Sequence, residues 1–262
     1  MDIKLIAIDL DGTLLNNDLV ISPRAVRAIK EAENRGVKVT LCTGRMYASA
    51  YPYAQELGIN IPLITYNGAL VKNSADDEIL YKRNLPLEDA KRVIEICREC
   101  DCQLNVYFED KLYVERNDYW AQKYADRVNV PLYKVNDLLK FLKTSPIKLL
   151  AMGEEDILHM IREKLSDRMV YITRSQPHFL EILNVEATKG KGIEAVVKKL
   201  AIDRKNVMAI GDNDNDIEMF KYAGFSVAMA NADDNVKVHA DYVTNNNNDD
   251  GVAEAIEKLI LA

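Results

Sequence analysis

The sequence predicts an α/β protein, a doubly wound parallel sheet with a smaller α+β domain inserted into it. Three observations predict it. Short apolar runs alternate with segments of helical spacing at the start of the chain, that alternation returns near residue 187, and the stretch between them follows another rhythm. A length of 262 residues, 48% apolar and 29% charged, suits a globular main domain carrying a second one.

Lys4 to Ile8 is a strand-like run that ends at two aspartates, reached directly from Met1. Pro23 to Arg35 carries helical spacing through Val26, Ile29 and Ala32. Val37 to Cys42 reads as a second strand, Met46 to Leu57 as a helix, and Pro62 to Thr65 as a third strand before the turn Asn67-Gly68. Such alternation makes a Rossmann-like parallel sheet with ligands at the carboxyl ends of its strands. The insertion is expected over residues 85–185, leaving 1–84 and 186–262 as the core. Within it, Pro86 to Cys100 and Glu154 to Leu165 read as helices. Gln103 to Phe108, Lys111 to Glu115, Ile147 to Met152, Val170 to Arg174 and Phe179 to Leu183 read as strands, so an antiparallel sheet with helices on one face follows. The core resumes with a helix from Lys189 to about Leu200, a strand Val207 to Ile210, a helix Asp216 to Tyr222, the run Ser226 to Met229 and a closing helix. Asn245 to Asp250 is a polar loop.

A net charge of −7 disfavours nucleic acid as a partner, because backbone binding needs clustered Lys and Arg. No apolar run is long enough to cross a bilayer, so no membrane partner and a cytoplasmic location are expected. Cys97, Cys100 and Cys102 crowd together, a poor layout for a disulfide framework, and no second Cys or His cluster completes a zinc site. Nothing fixes the assembly beyond a monomer or small homo-oligomer.

The chemistry lies where the predicted strands end. Asp9 and Asp11, two apart on an extended segment, can face one site and share a divalent cation. A lone Asp-x-Asp more often caps a turn, but three further segments fall on the same edge. Thr43-Gly44-Arg45 offers a hydroxyl, backbone N–H groups and a guanidinium to a phosphate. Lys189 opens the helix on which the core resumes, where an ammonium can neutralise phosphate and carboxylate. Gly211-Asp212-Asn213-Asp214-Asn215-Asp216 follows an apolar strand with hard oxygen ligands that suit magnesium.

In that order, Asp9-Leu10-Asp11-Gly12-Thr13, Thr43-Gly44-Arg45, Lys189-Gly190 and Gly211-Asp212-x-x-Asn215-Asp216 resemble the four motifs of the haloacid dehalogenase superfamily of phosphatases. Thr65-Tyr66-Asn67-Gly68-Ala69, Phe179-Leu180-Glu181-Ile182 and Asp250-Gly251-Val252-Ala253 resemble its Cof-type branch, whose insertion is a type IIB cap and whose members are similar to sugar-phosphate phosphatases. The resemblance implies an Mg2+-dependent phosphatase acting on a small phosphorylated metabolite through an aspartyl-phosphate on Asp9, with Asp11 as proton donor and then base. It implies phosphate contacts from Thr43, Gly44 and Lys189, orientation by Asn215, and metal binding by Asp9, Asp11, Asp212 and Asp216. Arg45, Asn67 and Glu181 lie near enough to join the site. Tyr113, Tyr119, Trp120 and Tyr124 suit packing, with Trp120 and Tyr124 on one helical stripe. The motifs do not separate hydrolysis from transfer to a second sugar hydroxyl by a phosphotransferase or phosphomutase. A receiver-type phospho-acceptor is disfavoured by length and by the insertion, and a sugar-phosphate sensor by the presence of both Asp9 and Asp11.

Overall fold

The computed structural model describes residues 2–262; Met1, read as leading directly into the first strand, lies outside them. The chain begins with β1 (Leu5–Ile8), α1 (Pro23–Asn34), β2 (Lys38–Leu41), α2 (Tyr47–Leu57) and β3 (Pro62–Thr65). β1 is apolar at every position because both faces of a parallel sheet are covered. Ser22 starts α1 by accepting the Ala25 N–H at 3.0 Å with Pro23 behind it, and Ala25, Ala28, Ile29 and Ala32 form its buried stripe.

β3 departs from the expected third parallel strand. An isolated parallel bridge, Cys42 to Ile64, joins it to the chain just past β2, and it pairs antiparallel with β4 (Leu70–Asn73), which pairs with β5 (Ile79–Lys82). The cause is the tight turn Tyr66–Gly68. Tyr66, Asn67 and Gly68 all have positive φ, so the chain doubles back and no helical crossover follows.

The insertion then runs through α3 (Leu87–Glu99), β6 (Gln103–Phe108), β7 (Lys111–Val114), α4 (Tyr119–Val128), β8 (Leu132–Lys134), α5 (Leu138–Phe141), β9 (Lys148–Met152), α6 (Glu155–Lys164), β10 (Val170–Gln176) and β11 (Phe179–Asn184). Its sheet has the order β10-β11-β9-β6-β7-β8. Leu104, Val106, Leu149, Ala151, Leu180 and Ile182 share one core with residues of α3 and α6. Alternation sends Asn105, Tyr107, Lys148 and Glu181 to the opposite face. Two expectations are corrected here. β7 and β8 are parallel, because α4 crosses over between them, and α4 does not join the helical face: Tyr124, Ala125 and Val128 pack into the main core with Tyr107 and Leu150.

The chain returns as α7 (Lys189–Leu200), β12 (Val207–Gly211), α8 (Ile217–Tyr222), β13 (Phe225–Ala228), α9 (Asp234–Lys237), β14 (Tyr242–Val243) and α10 (Gly251–Ile256). The parallel sheet has the order β14-β13-β12-β1-β2. β1 is therefore flanked by strands on both sides, and the ends of β1, β2 and β12 share one edge. The two segments that cross to the insertion are tied together, Asn184 Nδ2 donating to Asn84 O at 3.0 Å and Arg83 pairing with Glu186 at 2.6 Å. All four cysteines are free thiols. Among the described residues, no helix is long and apolar enough to cross a membrane.

Candidate active site

Asp9 follows β1, its N–H donating to Ile210 O of β12 at 3.0 Å. The chain then turns sharply at Gly12, where φ is +80° and a Cβ would lie 2.4 Å from Asp212 Oδ2, so only glycine fits. Thr13 Oγ1 donates to Asp212 Oδ1 at 2.6 Å and fixes that carboxylate beside β1. Lys189, the first residue of α7, is fully buried and holds its ammonium 2.6 Å from both Asp9 Oδ1 and Asp216 Oδ1. Burial alone would lower its pKa, but Asp216 and Asp9 outweigh that and raise it, so the ammonium stays charged. Asp216 uses its other oxygen to accept the Asp212 and Asn213 N–H groups, each at 2.9 Å.

Asp9, Asp212 and Asp216 can each bring a carboxylate oxygen within 4.8 Å of the others. One ammonium faces three acidic groups. Burial, with Asp216 and Asp212 adding to it against Lys189, raises the Asp9 pKa well above the usual range. Burial and the Asp216 charge push Asp212 up to about 7. A donor set of hard oxygens short of positive charge fits a divalent cation such as magnesium.

The Asp11 carboxylate, expected as a fourth metal-binding group, lies apart from these three in this structure. Arg45 clamps it in bidentate fashion, Nε to Oδ2 at 2.7 Å and Nη2 to Oδ1 at 2.8 Å, and Arg127 of α4 approaches Oδ1 at 3.5 Å. Burial would raise its pKa, but the hydrogen bonds and charge of Arg45, aided by Arg127, bring it below the usual value.

Thr43 and Gly44 follow β2 on the same edge. Thr43 is buried, and its Oγ1 accepts the Arg45 N–H at 3.1 Å. A Cβ on Gly44 would come within 2.8 Å of Asn67 Oδ1, so the backbone lies against that amide. Asn67 is the centre of a polar chain. It accepts from Asn215 Nδ2 at 3.0 Å and donates to Glu181 Oε2 at 2.6 Å. Glu181 also pairs with Lys148 at 2.5 Å and accepts from Ser175, while Lys148 donates to Gly44 O at 2.8 Å. Asn215 Oδ1 is buried without a partner.

Every residue expected at the site thus lies in one cluster, Asp11 apart from the other carboxylates. Lys148, Arg127 and Ser175 were missed. Lys148 carried a readable signal, a lone charge in the apolar run Ile147-Lys148-Leu149-Leu150-Ala151-Met152; Arg127, on a surface-patterned helix, carried none. Of the aromatic group, Tyr124 lines the cleft and packs edge-on to Tyr107 and Phe179, while Tyr119 is exposed. The cleft between the two sheets leaves about 40 Å³ to water-sized molecules, room for a few waters, and opens in part to solvent.

The haloacid dehalogenase-like hydrolase family profile matches residues 6–256. A 5-amino-6-(5-phospho-D-ribitylamino)uracil phosphatase of Bacillus subtilis is 36% identical over 262 residues, covering 100% of this chain and 97% of its own. The crystal structure of a haloacid dehalogenase-like hydrolase from Bacteroides thetaiotaomicron, 33% identical, superposes with a TM-score of 0.89 over 98% of this chain and 100% of the other. A sugar phosphatase of haloacid dehalogenase subclass IIB, 25% identical, superposes with a TM-score of 0.90 over 99% and 100%. The chain belongs to the haloacid dehalogenase-like hydrolase family, as a phosphoric monoester hydrolase of its subclass IIB branch.

Proposed function

We propose that this enzyme is a magnesium-dependent phosphatase of sugar phosphates and related small phosphorylated metabolites, working through an aspartyl-phosphate on Asp9. One observation carries the reading: Asp9, Lys189, Asp212 and Asp216 converge where β1 and β12 end. The uracil-ribityl phosphatase and the sugar phosphatase support a polyhydroxylated leaving group. Magnesium held by Asp9, Asp212 and Asp216 would supply positive charge against the phosphoryl oxygens. Lys189, Thr43, the Gly44 backbone and Asn215 bind and orient the phosphate, Asn215 being held in place by its hydrogen bond to Asn67.

Asp9 attacks phosphorus, and the bond to the leaving oxygen breaks as Asp11 gives that oxygen a proton. Asp11 then takes a proton from water, which attacks phosphorus and frees Asp9. Arg45 holds Asp11 ionised in this structure, the form suited to the second half; the first requires the carboxyl to be protonated and turned from Arg45. Glu181, Asn67 and Lys148 form the roof that faces the leaving group. The catalytic core is residues 1–84 with 186–262, the cap is 85–185, and four free thiols suit the reducing cytoplasm.

A panel of sugar phosphates, assayed for phosphate release with magnesium and after EDTA, tests the reading. Turnover is expected only with the metal, and Asp9→Asn should lose at least about a thousandfold while still binding substrate. Isomer conversion without free phosphate would sink hydrolysis, and full turnover by Asp9→Asn would sink the nucleophile.

A further inference from the structure

The segment that carries Thr43 and Arg45 runs directly into α2, and α2 starts badly. Its N-cap is Met46, whose side chain offers no acceptor, so the first-turn N–H groups lack the usual Ser, Thr, Asp or Asn. Met46 O accepts from Ser49 and Ala50 at 3.1 and 3.0 Å. The Ala48 N–H goes to Asp110, with its nitrogen 3.1 and 3.4 Å from the two carboxylate oxygens. Asp110 belongs to the insertion, at the turn between β6 and β7, and it is not among the residues lining the cleft.

Asp110 Oδ1 also accepts the hydroxyl of Tyr66 at 2.6 Å. Tyr66 is buried in the left-handed region, its N–H donates to Arg45 O at 2.9 Å, and the next N–H, of Asn67, donates to Thr43 O at 3.0 Å. One carboxylate therefore holds both backbone pieces that shape the phosphate loop. Two further contacts grip the same stretch from the insertion: Lys148 at Gly44 O, and Val128 O accepting from Ser49 Oγ at 2.7 Å. Asp110 itself is exposed.

We infer that Asp110 is a positioning residue for the reaction, capping α2 from across the domain boundary so that Thr43, Gly44 and Arg45 are set only when the insertion is closed. The inference rests on the phosphatase reading for what those residues bind. It goes beyond that reading in placing a determinant of turnover outside the cleft, in a surface turn that touches no substrate.

Glu109 and Asp110 both have positive φ, so glycine replaces either without backbone strain. In Asp110→Gly the Ala48 amide should exchange with solvent roughly tenfold faster, as expected for a lost N-cap, and kcat/KM for an aryl phosphate should fall by a similar factor. Asp110→Asn keeps an acceptor and recovers most of both, whereas Glu109→Gly changes neither. Unchanged Ala48 exchange in Asp110→Gly overturns the capping contact. Faster exchange with unchanged kcat/KM overturns the positioning role. Failure of the phosphatase reading shows separately, as a wild type that releases no phosphate, and takes the positioning role with it.

Discussion

Replacing Lys148 by Met leaves Glu181 as a buried carboxylate without its cation. Both side chains are almost wholly buried, 1% and 3% exposed, so water does little to compensate. Breaking such a pair from one side costs about 3–5 kcal/mol. Glu181 keeps the Asn67 amide at 2.6 Å and the Ser175 hydroxyl, which places the loss near the lower end, about 3 kcal/mol. For a chain of this length that is a fall of roughly 6–12 °C in unfolding midpoint. Lys148→Met combined with Glu181→Leu removes both charges. Its remaining losses are the acceptor of the Asn67 amide and the Ser175 hydroxyl and, shared with Lys148→Met, the donor to Gly44 O, about 1 kcal/mol for each that water does not replace. Urea or thermal unfolding of the wild type, the two single variants and the double variant closes the cycle. A double variant more stable than either single one is expected. Additive losses would refute the buried pair as a coupled unit, and a Lys148→Met protein as stable as the wild type would refute its burial cost.

Gly12→Ala places a methyl group 2.4 Å from Asp212 Oδ2 at a φ of +80°, so metal-supported turnover should fall by at least about tenfold, for a stability loss of about 1–3 kcal/mol. Retained activity, measured as phosphate release at saturating magnesium, would show that the turn has slack. Ser22→Ala removes the acceptor of the Ala25 N–H and should lower stability by about 1 kcal/mol while leaving turnover unchanged, which denaturant midpoints and a phosphate assay check together.

The legible parts were those in which local chemistry and tertiary setting agree. α7 reads correctly from Lys189 to Leu200 because Thr188 caps it, its hydroxyl accepting from the Lys191 N–H, and an apolar stripe at Ile193, Val196 and Val197 follows. β4 and β5 were not read because Leu70–Asn73 and Ile79–Lys82 are four residues each and half-buried, so no clean period of two survives. The carboxylate cluster was legible in composition and less so in geometry. Asp9 and Asp11 look equivalent in sequence, yet Arg45, equally available to a phosphate, turns Asp11 away from the others. Lys148 reaches the site through a strand pairing that no local pattern encodes, since β9 lies between β6 and β11.

Asp9 and Lys189 are 180 positions apart, and β1 has one of its neighbours, β12, beyond that point. On a growing chain made at about 5–20 residues per second, β1 waits on the order of 10–40 s for that partner. Through that interval one of its edges is unpaired and its four apolar residues lack half their cover, the condition in which strands pair wrongly. The whole insertion is made in the meantime. The proposed catalytic centre is thus completed only after the whole insertion has been made, and a chain stopped short of residue 189 has no means of assembling it.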